Sequence, residues 1–387
     1  MVLMKTRLLV ILAASVTAAQ QYQGPRDTTF EGQKAVVLSN RKLQLTLLYQ
    51  GSVLASVVLA DDVERLSPLW NPLRLAREAG HQARFDGIFG HFVCVDGFGI
   101  PSAEEQAAGL PVHGEAHVTQ FEVTKEANAV SFTARLPIVE EVMTRTFHIV
   151  EGENVAYVDT QIENLLGFDR PVNWAEHATV AAPFLAPGET TIALSGTQSH
   201  ARDYTLNHEE NAPQAQRRLA PGKLFMWPFA PGVDGNPVDM HVIPENPHFL
   251  DHAATLLNPG REQEWVSAFN SEKRLVYGYI FRRSDFPWLE HWGSYPSAGQ
   301  VVRGIEFTTQ PYDGSRREVI TQNSMFGAPT YRWLPAKSKI ESHFLLFYAR
   351  TPEGFHQVDD VRLENGHIVI YDMRSGTRLT LAASRGL

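Results

Sequence analysis

Apolar and polar positions alternate with a period of two along most of the chain, and the alternating runs are rich in β-branched and aromatic residues. Successive side chains of a strand point to opposite faces, so each such run buries one face and wets the other. The clearest runs are 35–38, 43–48, 118–124 and 130–136. Two hairpins can be read directly. Residues 142–150 and 155–163 flank Glu151-Gly152-Glu153-Asn154, and residues 361–364 and 368–371 flank Asn365-Gly366-His367. Asn-Gly is the stronger turn signal, because both residues tolerate positive φ. Helical periodicity is confined to a short piece around 74–79. Strands do not alternate with amphipathic helices, which disfavours a doubly wound α/β fold. The pattern predicts an all-β protein, a large antiparallel β-sandwich whose two sheets each present one apolar face to the other.

No repeat of fixed period and no low-complexity tract interrupts the chain. The Pro- and Gly-rich stretch 221–247 is the candidate boundary, long loop or lid. Strand patterning resumes beyond it, and the strands that follow are too few for a core of their own. Residues 20–387 therefore read as one domain. Before them, Lys5 and Arg7 precede the apolar run 8–14, and Thr17-Ala18-Ala19 supplies small residues. This is the pattern of a cleavable signal over 1–19, and the run is short of the roughly 20 residues that cross a bilayer. It predicts an exported protein, periplasmic or extracellular, with no membrane attachment after cleavage.

Composition narrows the function classes. With 387 residues, 43% of them hydrophobic, the chain can build a large core. A formal net charge of −9 leaves no basic footprint for nucleic acid. The single cysteine, Cys94, excludes an intrachain disulfide and a cysteine-cluster metal site. No phosphate-cradling glycine loop, GxSxG elbow, HExxH helix or dinucleotide fingerprint is present, so nucleotide enzymes, serine hydrolases and zincins fit poorly.

Several residues carry chemistry. His113, Glu115 and His117 would share one face if the strand 118–124 began early, and imidazole with carboxylate could then hold a metal. Otherwise Pro111 and Gly114 make a turn that presents His113 from a loop, which is the preferred reading. In 171–179, alternation puts Asn173, Ala175 and His177 on one face and Trp174 and Glu176 on the other. An imidazole at His177 could exchange protons if that face lines a cleft, or be a satisfied structural histidine. Glu306 lies between Ile305 and Phe307. It is either the polar side of a half-exposed strand or a carboxylate aimed into a site. Indole faces pack on the apolar faces of sugars, which makes Trp174, Trp288 and Trp292 binding candidates, with burial in the core as the alternative. Arg84 could fork onto hydroxyls or pair with Asp86, and Asp251 could accept hydroxyls or cap a turn. His200, His208, Glu209 and Glu210 read as a solvated loop.

Taken in order, these pieces resemble the aldose 1-epimerase, or galactose mutarotase-like, superfamily. The carriers are an early arginine (Arg84, with Arg74 and Arg77 nearby), His113-Gly114, His177 ahead of Pro183-Phe184-Leu185, Asp251-His252, and Ile305-Glu306 followed by Gln310-Pro311. Glu115 stands where many mutarotases have a second glycine, and Glu176 precedes His177 where they have asparagine. The resemblance implies a β-sandwich and a small carbohydrate substrate, with no metal or organic cofactor. It implies that Glu306 takes the proton of the anomeric hydroxyl and His177 protonates the ring oxygen. His113 and Arg84 would then polarise sugar oxygens, and Asp251 would hold a hydroxyl. A non-catalytic carbohydrate-binding protein, or a polysaccharide lyase or glycoside-processing enzyme, is the alternative on the same fold. Sugar identity and oligomeric state are left open.

Overall fold

The computed structural model describes residues 24–203, 216–245, 249–295 and 299–387. The expected signal over 1–19, and His208, Glu209 and Glu210, lie outside the described residues.

Two large sheets face one another, as the alternation requires. The first runs in spatial order from Arg26–Phe30 through Gln33–Ser39, Leu43–Leu48, Leu54–Leu59 and His91–Val95 to Trp174–Ala181. The next lane holds Val302–Gly304 and Glu306–Thr308 end to end, followed by Trp288–Tyr295, Phe249–Leu257 and Gly196–Ala201. The second sheet is antiparallel throughout, in the order Thr190–Leu194, Gln263–Asn270, Leu275–Arg282, Lys339–Arg350, Val155–Asn164, Glu141–Ile149, Ala129–Leu136 and Glu122–Glu126. Between the sheets, Val36, Leu45, Val93 and Val180 meet Phe132, Phe147, Val158 and Phe344 in the main core. Burying each such side chain contributes roughly 1.5–3 kcal/mol. At the C-terminus, Asp360–Glu364, His367–Asp372 and Thr377–Ala382 form a meander. Its Val361, Ile368 and Ile370 pack on Val155, Phe269 and Phe347, on the outer face of the second sheet. Asn365 and Gly366 both take positive φ in its turn, at 51° and 74°.

Two expectations change. The stretch 118–124 is a strand only from Glu122; Ala116–Val118 is a single 3-10 turn. The stretch 221–247 is not a plain loop: Leu224–Met226, Phe229–Pro231 and Pro237–Asp239 extend the edge of the first sheet. The helix expected around 74–79 is present as Pro72–Glu78, with the Asn71 side chain accepting from the Arg74 N–H at its start. Two more short helices, Ala103–Ala107 and Arg316–Gln322, each begin with a reciprocal capping box, Ser102 with Glu105 and Ser315 with Glu318.

Candidate functional site

The side of the first sheet that faces away from the main core carries a second apolar floor. Phe89, Phe92, Cys94, Phe98 and Ala175 form it. Strand Trp174–Ala181 sits between His91–Val95 and the lane of Glu306, and its alternation sends Ala175, His177 and Thr179 to this side. Trp174 and Glu176 go the other way. Fully buried between the sheets, the Glu176 carboxylate takes hydrogen bonds from His91 Nε2 at 2.8 Å, Arg145 Nη1 at 2.9 Å and the Trp174 indole at 3.2 Å. Burial alone would raise its pKa, but Arg145 and His91 overcome that and hold it at about 2. This buried cluster pins the strand and so sets the direction of His177.

On the site side, register makes a row across the sheet. Phe92 pairs with His177, and Glu290 pairs with Glu306. Glu176 pairs with Phe307, which puts His177 beside Glu306 on its other flank. The His177 ring stacks on Phe92 with centroids 4.2 Å apart, and its Nε2 lies 3.4 Å from Glu306 Oε1. Room for that carboxylate comes from Gly304 in the same lane, where a Cβ would overlap Glu306 Oε1. His113 arrives from a turn, with φ at 64° and its backbone N–H on the Gly99 carbonyl at 2.9 Å. The Gly99 N–H donates to His113 Nδ1 at 3.2 Å, so the neutral ring carries its proton on Nε2. The His113 and His177 rings meet edge to face at 5.2 Å.

These groups line a cavity of about 280 Å³. Its polar side is His113, His177, His252, Glu290, Glu306 and Asp313; Trp70, Phe98 and Trp292 supply apolar wall. The electrostatics follow from burial. Glu306 is pushed well above the ordinary carboxylate range by burial and then by the Glu290 carboxyl beside it. Burial also raises Glu290, against the pull of Arg202. His177 is held well below its ordinary value by burial and His113, and His113 is lowered to about 3 by burial and His117. Two histidines next to carboxyls are thus neutral near pH 7.

The structure brings together only part of the predicted set. Glu306, His177, His113 and Trp292 line the cavity. Arg84 is exposed and outside it. Arg74 and Arg77 are engaged with Glu78 and Glu31, and the guanidinium that borders the cavity is Arg202, on Asp313 and 3.2 Å from His252 Nδ1. Asp251 faces the opposite side of its strand and is buried against Arg218. Its neighbour His252 is the residue that reaches the cavity. Trp174 is sealed in the inter-sheet core. Trp288 points to the site side but is covered, packed with Leu256 and Ala328 and donating to the Pro329 carbonyl at 2.8 Å. The metal triad from 113–117 does not assemble: Glu115 turns away to accept the Ile138 and Val139 N–H groups at 2.9 and 3.2 Å.

Six cavity residues, Trp70, Ile88, Phe98, His252, Glu290 and Asp313, were not assigned from sequence. Glu290 had a signal, since it shares strand parity with Trp292. Asp313 comes from a loop and had none. His252, Glu290 and Asp313 bring donor atoms within 4.8 Å of one another, the grouping with metal-ligand composition among the described residues. Arg202 argues against a cation there. Its Nη1 faces His252 Nδ1, so that nitrogen is the acceptor and Nε2 carries the proton toward Glu290, whereas a cation on Nε2 would put a proton on Nδ1 against the guanidinium.

No protein-family model matches the chain, and no curated protein matches it. Solved structures do. A galactose mutarotase-like protein from Clostridium acetobutylicum is 11% identical and superposes with a TM-score of 0.57 over 84% of this chain and 98% of that one. A galactose mutarotase-like protein from Lactobacillus casei gives 14%, 0.54, 81% and 100% for the same quantities. A galactose mutarotase related enzyme from Lactobacillus acidophilus gives 13%, 0.53, 82% and 98%. These likenesses show that the chain has the galactose mutarotase-like β-sandwich fold.

Proposed function

We propose that this protein is an exported aldose 1-epimerase, interconverting the anomers of a monosaccharide by ring opening and closure. The observation that carries the reading is the pairing of buried Glu306 with His177 at 3.4 Å in the wall of one cavity. Ring opening removes a proton from the anomeric O1 and delivers one to the ring oxygen O5, and a carboxylate with a raised pKa is a suitable base for the first step. At about 280 Å³ the cavity lies just below the roughly 300–1,000 Å³ usual for ligand sites, which suits one sugar ring rather than a chain. The Trp70 and Trp292 indoles, 6.0 Å apart, offer apolar surface to the ring faces, and the His113 Nε2–H is available to a sugar oxygen. The proton for O5 comes from a second group beside Glu306, which the family resemblance gives to His177.

The test is mutarotation of freshly dissolved α-anomers of several aldoses, followed by polarimetry or NMR, for the wild type and Glu306→Gln. The expected result is acceleration by the wild type that is lost in the variant. Failure of the wild type with every sugar, alongside retained sugar binding, would replace this reading with the non-catalytic one. N-terminal sequencing of protein recovered from the periplasm or medium tests export and removal of 1–19.

A further inference from the structure

We propose that the proton donor to the ring oxygen is Glu290, paired with Glu306 as base. The inference rests on the epimerase reading and assigns its acid step.

O1 and O5 hang from the same carbon, so an acid and a base that act on them must stand side by side rather than on opposite flanks of the sugar. Glu290 and Glu306 do so. They are directly opposed on adjacent antiparallel strands, both are fully buried, and both line the cavity. In such pairs the Cβ atoms lie about 4.5–5.5 Å apart, and two carboxylates that close in a dry site share a proton rather than both ionise. The two carboxyls are held differently. Glu290 Oε1 is engaged by His252 Nε2 and by the Asp313 N–H at 3.2 Å, while its Oε2 is buried without a hydrogen-bond partner. That oxygen is the one left to carry a proton, on a residue that lines the cavity.

His177 is poorly placed for the same task. Its Nδ1 lies 3.1 Å from Thr179 Oγ1, and its Nε2 is 3.4 Å from Glu306 Oε1 with no hydrogen bond between them. A neutral ring that donates from Nδ1 to that hydroxyl has no proton on Nε2 to deliver, and its stacking on Phe92 holds it beside Glu306. In the forward step the Glu306 carboxylate takes the O1 proton and the O1–H electron pair forms the C1=O1 bond. The C1–O5 bond breaks, and its pair takes the Glu290 proton. The open-chain aldehyde rotates about C1–C2 and recloses by the reverse transfers. The proton passes from one carboxyl to the other through the sugar, and the pair always holds one.

The experiment compares kcat, KM and pH profile of mutarotation for the wild type, Glu290→Gln, Glu290→Asp and His177→Asn, each checked for folding by thermal melting. Wild type is expected to give a bell: the acid limb is protonation of the base, and the alkaline limb is loss of the shared proton. The charged and titratable groups facing the pair are Arg202, Asp313, His252, His177, His113 and Cys94, so the assignment of the limb depends on the variant comparison. Glu290→Gln is expected to lower kcat by about 10²–10⁴-fold with KM within about threefold, and to lose the alkaline limb. Glu290→Asp, which keeps an acid, is expected to retain that limb at a reduced kcat. An active wild type whose Glu290→Gln variant keeps kcat within about threefold overturns the proposal and leaves the epimerase reading standing. An alkaline limb that persists in Glu290→Gln and vanishes in His177→Asn assigns the acid to His177 instead. Loss of activity in chelator with recovery on adding Mn²⁺ or Zn²⁺ overturns it in favour of a cation on His252, Glu290 and Asp313. A wild type inactive on every aldose removes the epimerase reading itself.

Discussion

The buried Glu176 cluster makes a quantitative prediction about stability against pH. A carboxyl held at about 2 rather than its ordinary 4.5 contributes about 3 kcal/mol of folding stability at neutral pH. The sign follows from the depression: this contribution is complete above 4.5 and is lost as pH falls through 2, because only the unfolded chain takes up the proton across that window. Glu176→Gln removes it and leaves Arg145 buried opposite an uncharged amide. The expected loss at pH 7 is about 3–5 kcal/mol, the usual cost of breaking one side of a buried ion pair. Urea unfolding of both proteins at several pH values from 7 to 2.5 measures it. Their stability difference is expected to shrink by about 2.4 kcal/mol between pH 5 and 2.5. Parallel curves through that window would show that the Arg145 and His91 contacts do not hold the carboxylate charged, and would refute the account of how the His177 strand is pinned.

Gly304→Ala is expected to displace the Glu306 carboxylate from the lane it occupies, lowering kcat at least about tenfold while the melting temperature changes little, since the clashing atom ends a flexible side chain. Asp251→Asn is expected to destabilise by about 3 kcal/mol through the unpaired Arg218, with kcat retained, and Arg84→Ala to leave both stability and rate unchanged; calorimetry and mutarotation together separate them from cavity variants. Because burial and Glu290 raise Glu306, the acid limb of the wild-type rate profile is expected above the ordinary carboxylate range, with activity rising as pH climbs through it.

Much of the architecture is local information. Alternation along 43–48, 130–136 and 142–150 marks strands because the period of two is a backbone property, and Asn365-Gly366 marks a turn because few other pairs accept two positive φ angles. The two unassigned helices were also written locally, in Ser102-x-x-Glu105 and Ser315-x-x-Glu318, whose side chains satisfy backbone N–H groups that the first turn leaves open. The late start of the strand at Glu122 was not, since the Gly51 N–H donates to the Thr119 carbonyl and the Phe121 N–H to the Tyr49 carbonyl, which holds 119–121 against a distant segment.

At the site, sequence alone determined which residues share a face, and only packing decided which face looks into the cavity. His177 and Trp174 were separated correctly by parity, yet the indole that seemed suited to a sugar belongs to the inter-sheet core because the second sheet covers that side. Between Asp251 and His252 a single residue changes the face, so the carboxylate meets Arg218 and the imidazole meets the cavity. Glu290 becomes the neighbour of Glu306, and Arg202 and Asp313 close the rim, through strand order and loop paths that bring distant segments together. Local pattern sets the period of a strand; its neighbours, and therefore the charges that a buried carboxyl meets, are set by the topology of the whole sandwich.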